Sequence, residues 1–289
     1  MQCWNMWVSL YTISCEDGNL CTLNDQCSLG TCVSGTPKNC NDNKECTTDS
    51  CSVGICHNDN VPDGTVCSGG ICQVGICQPQ GTPISSCGVT ISTPGKYYLA
   101  DNLIGTSGDC IKITGNNVVI NGNGKKIIVN GVAARGIYIV GPSSSVHGVG
   151  TNLSGIAFEI KSDFYGIYAN YADNFNISGS TFTFLDSGAS PYGVVVVNSN
   201  LGIIENNIFS VSFAGMQTGV YISGATNSKI VNNTMNGLYD GIVLYPSGVV
   251  GTQINDNTIS NSIHYGVYIA AATVTGTSLS NNKICSSGG

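Results

Sequence analysis

Six times between residues 136 and 269, a glycine precedes three residues that are apolar, β-branched or aromatic. Successive side chains of a β-strand point to opposite faces, so the first and third residues after each glycine share one face. Those positions hold only Ile, Val, Leu and Ala, and we expect them to point into a core, with the second position facing solvent. The six segments are Gly136-Ile-Tyr-Ile, Gly166-Ile-Tyr-Ala, Gly193-Val-Val-Val, Gly219-Val-Tyr-Ile, Gly241-Ile-Val-Leu and Gly266-Val-Tyr-Ile.

The segments recur at intervals of 30, 27, 26, 22 and 25 residues, a period typical of a solenoid with one coil per repeat. A second short strand follows each Gly-led strand from residue 176 onward. An asparagine recurs in the last four of these second strands, at intervals of 26, 24 and 25 residues. We expect it to adopt the left-handed backbone of a bend and to form an amide ladder along the axis; an Asn-lined ligand site is the alternative. The four residues are Asn207, Asn233, Asn257 and Asn282.

Composition favours the same architecture. Charged residues make up 9% of the chain and 38 of its 289 residues are glycine, which fits neither a disordered nor a helical protein. The stretches at 87–99, 109–113 and 117–124 resemble the first coils of right-handed parallel β-helix proteins, namely the pectate-lyase-like families and surface proteins with parallel β-helix repeats. The resemblance implies an all-β fold with a right-handed parallel β-helix over residues 84–289. It implies little about function, because one fold serves many roles.

Cysteine marks a different region. Twelve of the 15 cysteines lie in residues 1–80, among Gly, Asn, Asp and Ser that offer little to bury, so disulfides must hold this segment and place it outside the cytosol. The unit at 40–56 resembles the Cys-Thr-x-Asp-x-Cys repeats of slime-mould extracellular matrix proteins, which implies a structural spacer at 15–80, after an N-terminal arm at 1–14. The cysteines expected in disulfides are Cys15, Cys21, Cys27, Cys32, Cys40, Cys46, Cys51, Cys56, Cys67, Cys72, Cys77, Cys87 and Cys110, the last two linked within the first coil.

The odd number of cysteines leaves at least one without a partner in the chain. Cys3 and Cys285 lie apart from the repeats. We expect one of them to pair with the repeats and the other to stay free or to link two subunits. The cysteine spacings suit zinc poorly and the acidic residues suit calcium poorly, so we expect no metal and no cofactor.

The net charge is −7, and Arg135 is the only arginine, which argues against nucleic acid as a partner. No run of 18 apolar residues occurs, so we expect no membrane span. Residues 1–14 do not read as a signal peptide, and we expect a processed leader or a fragment. Three sequons predict glycan sites, at Asn152, Asn176 and Asn232.

Catalytic signals are sparse. A pectate-lyase-like mechanism needs a basic residue and several Asp that hold calcium, but Arg135, expected at a turn, has no acidic cluster in its coil. A polygalacturonase-like mechanism needs an adjacent Asp pair, and none occurs. No nucleophile elbow, phosphate loop or zinc motif is present. The sequence therefore favours a protein without catalytic residues, with a polysaccharide lyase or hydrolase as the lesser alternative.

Tyrosine dominates the outward positions of the Gly-led strands and the positions just before the glycines. A long aromatic face usually contacts a partner, and tyrosine suits both protein interfaces and sugar rings. Three occupants are open: another copy of the chain, a carbohydrate, or the chain's own N-terminal region. The tyrosines are Tyr138, Tyr165, Tyr168, Tyr192, Tyr221, Tyr265 and Tyr268.

The apolar residues 4–13 would either add as a strand to a neighbouring subunit or fold onto their own domain. The strand edges at both ends of a β-helix must be capped or paired. The sequence thus predicts an extracellular structural protein that assembles with copies of itself into a surface filament, sheath or layer. The second interpretation is an adhesin or sugar-binding module whose tyrosines contact cell-surface polysaccharide.

Overall fold

The computed structural model describes residues 14–68, 70–141, 148–161, 164–185, 190–245, 248–270 and 274–286. Residues 1–13, which include Cys3 and nearly all of the predicted arm, lie outside the described residues. The chain divides into two compact units, Met1–Gln80 and Gly81–Gly289. In the described part of the chain, no helix is long and apolar enough to cross a membrane.

The first unit consists of small antiparallel sheets. Its strands are β1 (Thr22–Leu23), β2 (Gln26–Ser28), β3 (Thr31–Val33), β4 (Thr36–Pro37), β5 (Thr47–Ser52), β6 (Ile55–Asn60), β7 (Val66–Cys67), β8 (Gly70–Gln73) and β9 (Ile76–Pro79). β1 pairs with β4, β2 with β3 and β5 with β6, while β7, β8 and β9 form a three-stranded sheet.

Disulfides replace a hydrophobic core in this unit. Among its described residues, the buried hydrophobic ones are Cys46 and Cys72, which are bonded to each other. Cys27 is disulfide-bonded as well. The predicted disulfide-rich segment is confirmed. The remaining bonds described in this unit are Cys15–Cys32, Cys21–Cys51, Cys40–Cys56 and Cys67–Cys77.

The second unit is a parallel β-helix of about seven turns. Its strands are β10 (Thr82–Ile84), β11 (Val89–Ile91), β12 (Gly95–Leu99), β13 (Leu103–Ile113), β14 (Val118–Asn121), β15 (Lys126–Val140), β16 (Gly148–Val149), β17 (Asn152–Ser154), β18 (Ala157–Ile160), β19 (Tyr165–Asn170), β20 (Ala172–Asp173), β21 (Asn176–Ser178), β22 (Thr181–Phe184), β23 (Tyr192–Val197), β24 (Ile203–Glu205), β25 (Ile208–Val211), β26 (Thr218–Ser223), β27 (Lys229–Val231), β28 (Thr234–Asn236), β29 (Asp240–Leu244), β30 (Gln253–Asn255), β31 (Thr258–Ser262), β32 (Tyr265–Ile269), β33 (Ser278–Ser280) and β34 (Lys283–Ser286).

These strands build three parallel faces. The first face is the nine-stranded sheet β10-β12-β14-β17-β21-β24-β27-β30-β33. A 14-stranded sheet supplies the other two, because the long strands β13 and β15 bend from one to the other. The second face contains β18, β22, β25, β28, β31 and β34, and the third face contains the Gly-led strands β19, β23, β26, β29 and β32. The predicted parallel β-helix is confirmed.

The interior is a stack of in-register apolar rows. The first and third residues after each leading glycine are at most 2% exposed from β15 to β29, and they become half-exposed in β32. A second row stacks Phe158, Phe182 and Phe209, with ring centroids 4.8 and 4.6 Å apart. This row also explains the leading glycines, since a Cβ on Gly193 would lie 2.6 Å from a ring carbon of Phe209.

Each second strand of the sequence pattern is in fact two strands that meet at a bend. At this bend the residue before each ladder asparagine is left-handed: φ is 55° at Asn206, 52° at Asn232, 57° at Asp256 and 54° at Asn281. The expectation that the ladder asparagines themselves adopt this backbone is wrong. The short polar residue before them makes the turn, and the ladder asparagine turns its side chain inward.

The inward amides form a continuous ladder. Asn207, Asn233 and Asn257 are at most 1% exposed, and each Nδ2 donates at 3.0 Å to the Oδ1 of the next asparagine, ending at Asn282. Their backbone N–H groups donate to the same oxygens at 2.9–3.0 Å. Ser180 N donates to Asn207 Oδ1 at 2.9 Å and so extends the ladder by one coil. The ladder is buried inside the solenoid, where its role is structural.

Candidate functional site

Two rows of side chains run along the outside of the third face. One row is formed by the residues before the glycines, in the register Arg135, Tyr165, Tyr192, Thr218, Asp240, Tyr265. The other row is formed by the second residues after the glycines, in the register Tyr138, Tyr168, Val195, Tyr221, Val243, Tyr268. We call the seven tyrosines of these rows the tyrosine stripe.

The rings of the stripe contact one another across the coils. Five of them form an unbroken series, and the last two form a stacked pair further along the axis. Neighbouring centroids are 5.4 Å apart for Tyr138–Tyr168, 5.2 Å for Tyr168–Tyr165, 5.6 Å for Tyr165–Tyr192, 5.6 Å for Tyr192–Tyr221 and 5.1 Å for Tyr265–Tyr268. These contacts are stacked, tilted or edge-on, and stacked and edge-on pairs are favourable geometries for aromatic rings, so the rings hold one another in place.

Packing between the rings removes part of their hydration. Burial raises the pKa of Tyr168, Tyr192 and Tyr221 above the ordinary value of a phenol, and neighbouring tyrosines raise it further. Their hydroxyl groups therefore stay protonated at neutral pH and can both donate and accept hydrogen bonds. The expected exposure of every second position is wrong at Val195 and Val243, which are 4% and 8% exposed within the aromatic row.

Cationic side chains lie at one end of the stripe. Arg135 lies within β15 and not at a turn, so the expectation for this residue is wrong. Its guanidinium contacts the Asp109 carboxylate on the preceding coil and lies 3.9 Å from the Tyr138 ring centroid and 5.5 Å from that of Tyr168. The Lys112 ammonium lies 5.8 Å from the Tyr138 centroid.

A groove of about 340 Å³ opens at the other end of the stripe. It forms where β29 contributes two short side chains, Asp240 and Val243, between coils that carry Tyr221 and Tyr268. The residues that line it are Tyr192, Thr218, Tyr221, Asp240, Val243, Tyr245, His264, Tyr265 and Tyr268.

Asp240 is the anionic group of the groove. Its Oδ1 lies 3.2 Å from His264 Nδ1 and accepts a hydrogen bond from Tyr265 N at 3.1 Å. The His264 ring in turn contacts Tyr265 at 3.8 Å and Tyr239 at 4.8 Å between centroids. Tyr245, 49% exposed, packs 5.8 Å from Tyr221. The sequence analysis missed Asp240, His264 and Tyr245 as members of one site, although Asp240 precedes a leading glycine as three stripe tyrosines do.

The other predicted site residues are spread over the molecule. Cys87 and Cys110 form a disulfide in the first coil, and Cys285 is a free, exposed thiol on β34. Among the sequons, Asn152 and Asn232 are exposed and Asn176 is half-buried. That these asparagines carry glycans stays a prediction.

Metal-ligating groups come together once among the described residues. Sulfur atoms of Cys46, Cys67 and Cys77 lie within 4.8 Å of one another, but all three belong to disulfides and are not thiolates. In the described part of the solenoid, no three His, Cys, Asp or Glu side chains meet in this way.

The solenoid matches a known protein family. Residues 81–288 match the family described as "Periplasmic copper-binding protein (NosD)". No curated protein matches the chain. Among solved structures, a tailspike domain of bacteriophage CBA120 is 13% identical over 67% of this chain, with a TM-score of 0.35, and this chain spans 38% of its length.

Two further structures are similar at the same low level. The A-module of the Azotobacter vinelandii mannuronan C-5 epimerase AlgE4 is 14% identical over 71% of this chain and 84% of its own, with a TM-score of 0.29. The periplasmic alginate epimerase AlgG is 11% identical over 65% of this chain and 72% of its own, with a TM-score of 0.23. Likeness at this level bears on neither substrate nor reaction.

Proposed function

Because the chain belongs to the NosD family of periplasmic proteins, we propose that it acts outside the cytoplasm as a rigid scaffold that binds a polysaccharide along its tyrosine stripe. The observation that carries this proposal is the series of half-buried rings in mutual contact on one face. Sugar rings have apolar C–H faces that pack on aromatic rings, and phenol hydroxyls meet the sugar hydroxyls at the edges.

The dimensions suit an extended chain. From Tyr138 to Tyr268 the stripe crosses five coil steps, which at ~4.8 Å per step is roughly 24 Å. Because backbone pairing and ring packing fix the rings, binding costs little additional side-chain entropy. A linear polymer could therefore contact several tyrosines at once, with individually weak contacts adding along the face.

The copper named in the family description does not fit the described residues of the solenoid. Copper sites use His, Met and Cys ligands grouped together. Here His264 contacts Asp240, and Met235 is fully buried in the core. Met216 is exposed in the loop between β25 and β26, and the free thiol of Cys285 lies on β34. The proposed function involves no copper step.

The test is a binding titration with polysaccharides of neutral, acidic and amino-sugar type. A variant with Tyr138, Tyr168 and Tyr221 changed to Ser should bind the best of them at least tenfold more weakly. Tyr98→Ser, on the first face, is the matched control and should bind as the unchanged protein does. Equal affinity of the triple variant and the control would refute the proposal.

The same incubations test for catalysis. We propose a binding role without turnover, so the polysaccharide should be recovered intact after long incubation. New reducing ends, unsaturated products or epimerised sugars would instead make the protein an enzyme.

A second candidate function is the self-assembling surface subunit that the sequence predicts. The exposed thiol of Cys285 favours it, because a free thiol at the surface can cross-link two copies. Covalent multimers on non-reducing gels that disappear in Cys285→Ser would support assembly, and a monomer at all concentrations would contradict it.

A further inference from the structure

The groove at Asp240 has the geometry of a slot between two aromatic walls. Tyr221 and Tyr268 occupy the same position on coils two steps apart, with Val243 between them. Two steps correspond to roughly 9.5 Å, so a group midway lies about 4.7 Å from each wall. That distance is within the ~6 Å over which a cation is attracted by the face of an aromatic ring.

The groove also carries negative charge. Asp240 is 17% exposed in its side chain. Among the described residues that line the groove, His264 is the one basic side chain, and none is a lysine or an arginine. Both contacts of the carboxylate use Oδ1, and Oδ2 accepts no hydrogen bond from the residues that the structure describes. The field of Asp240 reaches Tyr192, which also lines the groove: burial first, then Tyr165 and Asp240, raise the pKa of Tyr192.

We propose that this slot is a binding site for an organic cation, either a small quaternary ammonium compound or the protonated amine of an amino sugar. Aromatic walls and one carboxylate are the combination that recognises ammonium groups, because ring faces and carboxylate both attract positive charge while the rings exclude water. An anionic ligand would be repelled by Asp240. A purely apolar ligand would remove water from Oδ2 without giving this oxygen a hydrogen-bond donor. The site goes beyond polysaccharide binding, since a free ammonium ion could occupy it alone.

His264 occupies one edge of the slot. Its Nδ1 faces Oδ1, which orients the carboxylate and leaves Oδ2 as the acceptor for the ligand. Tyr245 borders the same groove from the coil of Asp240 and adds a third aromatic surface. The cation would thus meet several aromatic rings and the carboxylate of Asp240, all of which line the same groove.

The experiment uses the full chain and two small probes, followed by two sugar tetramers. Saturation-transfer NMR measures binding of tetramethylammonium, with tert-butanol as a neutral probe of similar shape. We expect saturable binding of the cation and at least tenfold weaker binding of the alcohol. Asp240→Asn keeps the shape, removes the charge and should lower the affinity for tetramethylammonium at least tenfold.

Asp256→Asn is the matched control, because Asp256 is exposed in a left-handed turn where neighbouring coils carry Asn. It should bind tetramethylammonium within twofold of the unchanged protein. Tyr268→Leu, at a residue 38% exposed, tests the wall independently and should weaken binding several-fold. Equal affinity of Asp240→Asn and Asp256→Asn, or equal binding of the alcohol and the cation, would overturn the proposal.

A third measurement identifies the source of the cation. A glucosamine tetramer is compared with its N-acetylated form, which lacks the charge. If the glucosamine tetramer binds in an Asp240-dependent way and its N-acetylated form does not, the natural cation is an amino sugar. If tetramethylammonium binds and neither tetramer does, the natural cation is a small ammonium compound. Asp240→Asn should still bind a polysaccharide along the rest of the stripe, so failure of the slot and failure of the proposed function are told apart.

Discussion

Replacing Asn233 by Ala should interrupt the amide ladder between Asn207 and Asn257. Asn233 Oδ1 accepts from both the backbone N–H and the Nδ2 of Asn207 at 3.0 Å. Its Nδ2 donates to Ile204 O at 2.9 Å and to Asn257 Oδ1 at 3.0 Å. The side chain is 1% exposed, so water does not readily replace these partners.

The expected loss of stability follows from these contacts. The Asn207 backbone N–H loses its acceptor inside the core, which costs about 1–3 kcal/mol for one buried unpaired donor. The second bond from Asn207, the lost donations of Asn233 and the small void add about 1–2 kcal/mol. The free energy of unfolding should therefore fall by about 2–5 kcal/mol.

Asn236→Ala is the matched control, because it is the same chemical change on the same coil. Asn236 is exposed, and its Oδ1 accepts from Ser260 and Asn261, where water can substitute. It should cost under about 1 kcal/mol. Urea unfolding followed by far-UV circular dichroism, under non-reducing conditions, compares the two. Midpoints of the two variants that agree within error would refute the role given to the ladder.

Three further predictions concern the core, the first coil and the stripe. Gly193→Ala places a Cβ 2.6 Å from a ring carbon of Phe209 and should lower the free energy of unfolding by about 1–3 kcal/mol. At Gly148 a Cβ would meet no atom nearer than 3.5 Å, so Gly148→Ala should lower it less. Thermal melts compare the two variants. Removing the Cys87–Cys110 disulfide, which spans 23 residues, should cost about 3 kcal/mol by the chain-entropy estimate and lower the unfolding midpoint. Burial raises the pKa values of Tyr168, Tyr192 and Tyr221, so these side chains keep their protons to higher pH in the folded state than in the unfolded state. Their contribution to stability should therefore be fully present below pH 10 and should decline as the pH rises above it. Urea unfolding at pH 9 and pH 11 measures this decline, which would be missing if the rings were solvated.

The solenoid could be predicted because its determinants are local. Each Gly-led segment alternates apolar and outward residues, and the interval of 22 to 30 residues fixes one segment per coil. Why each strand begins with glycine is visible only in the structure, where the missing Cβ makes room for an interior ring such as Phe209. The bend at Asn206 and Asn207 was read as one strand, because two adjacent asparagines do not reveal which turns the backbone and which is buried.

The candidate site was predictable only in part. The row of second positions after the glycines follows from strand alternation, but the row before the glycines does not, because alternation alone would turn those residues inward. Val195 and Val243 are buried within the aromatic row, which alternation does not predict either. The pairing of Asp240 with His264, 24 residues apart, depends on cross-coil register. Arg135 was expected at a turn because a glycine follows it, whereas the long strand β15 runs through both residues.

In the proposed function, the outward tyrosines of the third face form one binding surface for a polysaccharide. The most direct measurement is a carbon–proton NMR spectrum of protein labelled in its tyrosine rings, recorded while the bound polysaccharide is titrated in. Ring signals of the seven stripe tyrosines should move together at one affinity, while those of Tyr97 and Tyr98 on the first face stay fixed. Shifts confined to tyrosines off the third face, or no shifts at concentrations that saturate binding, would contradict the account.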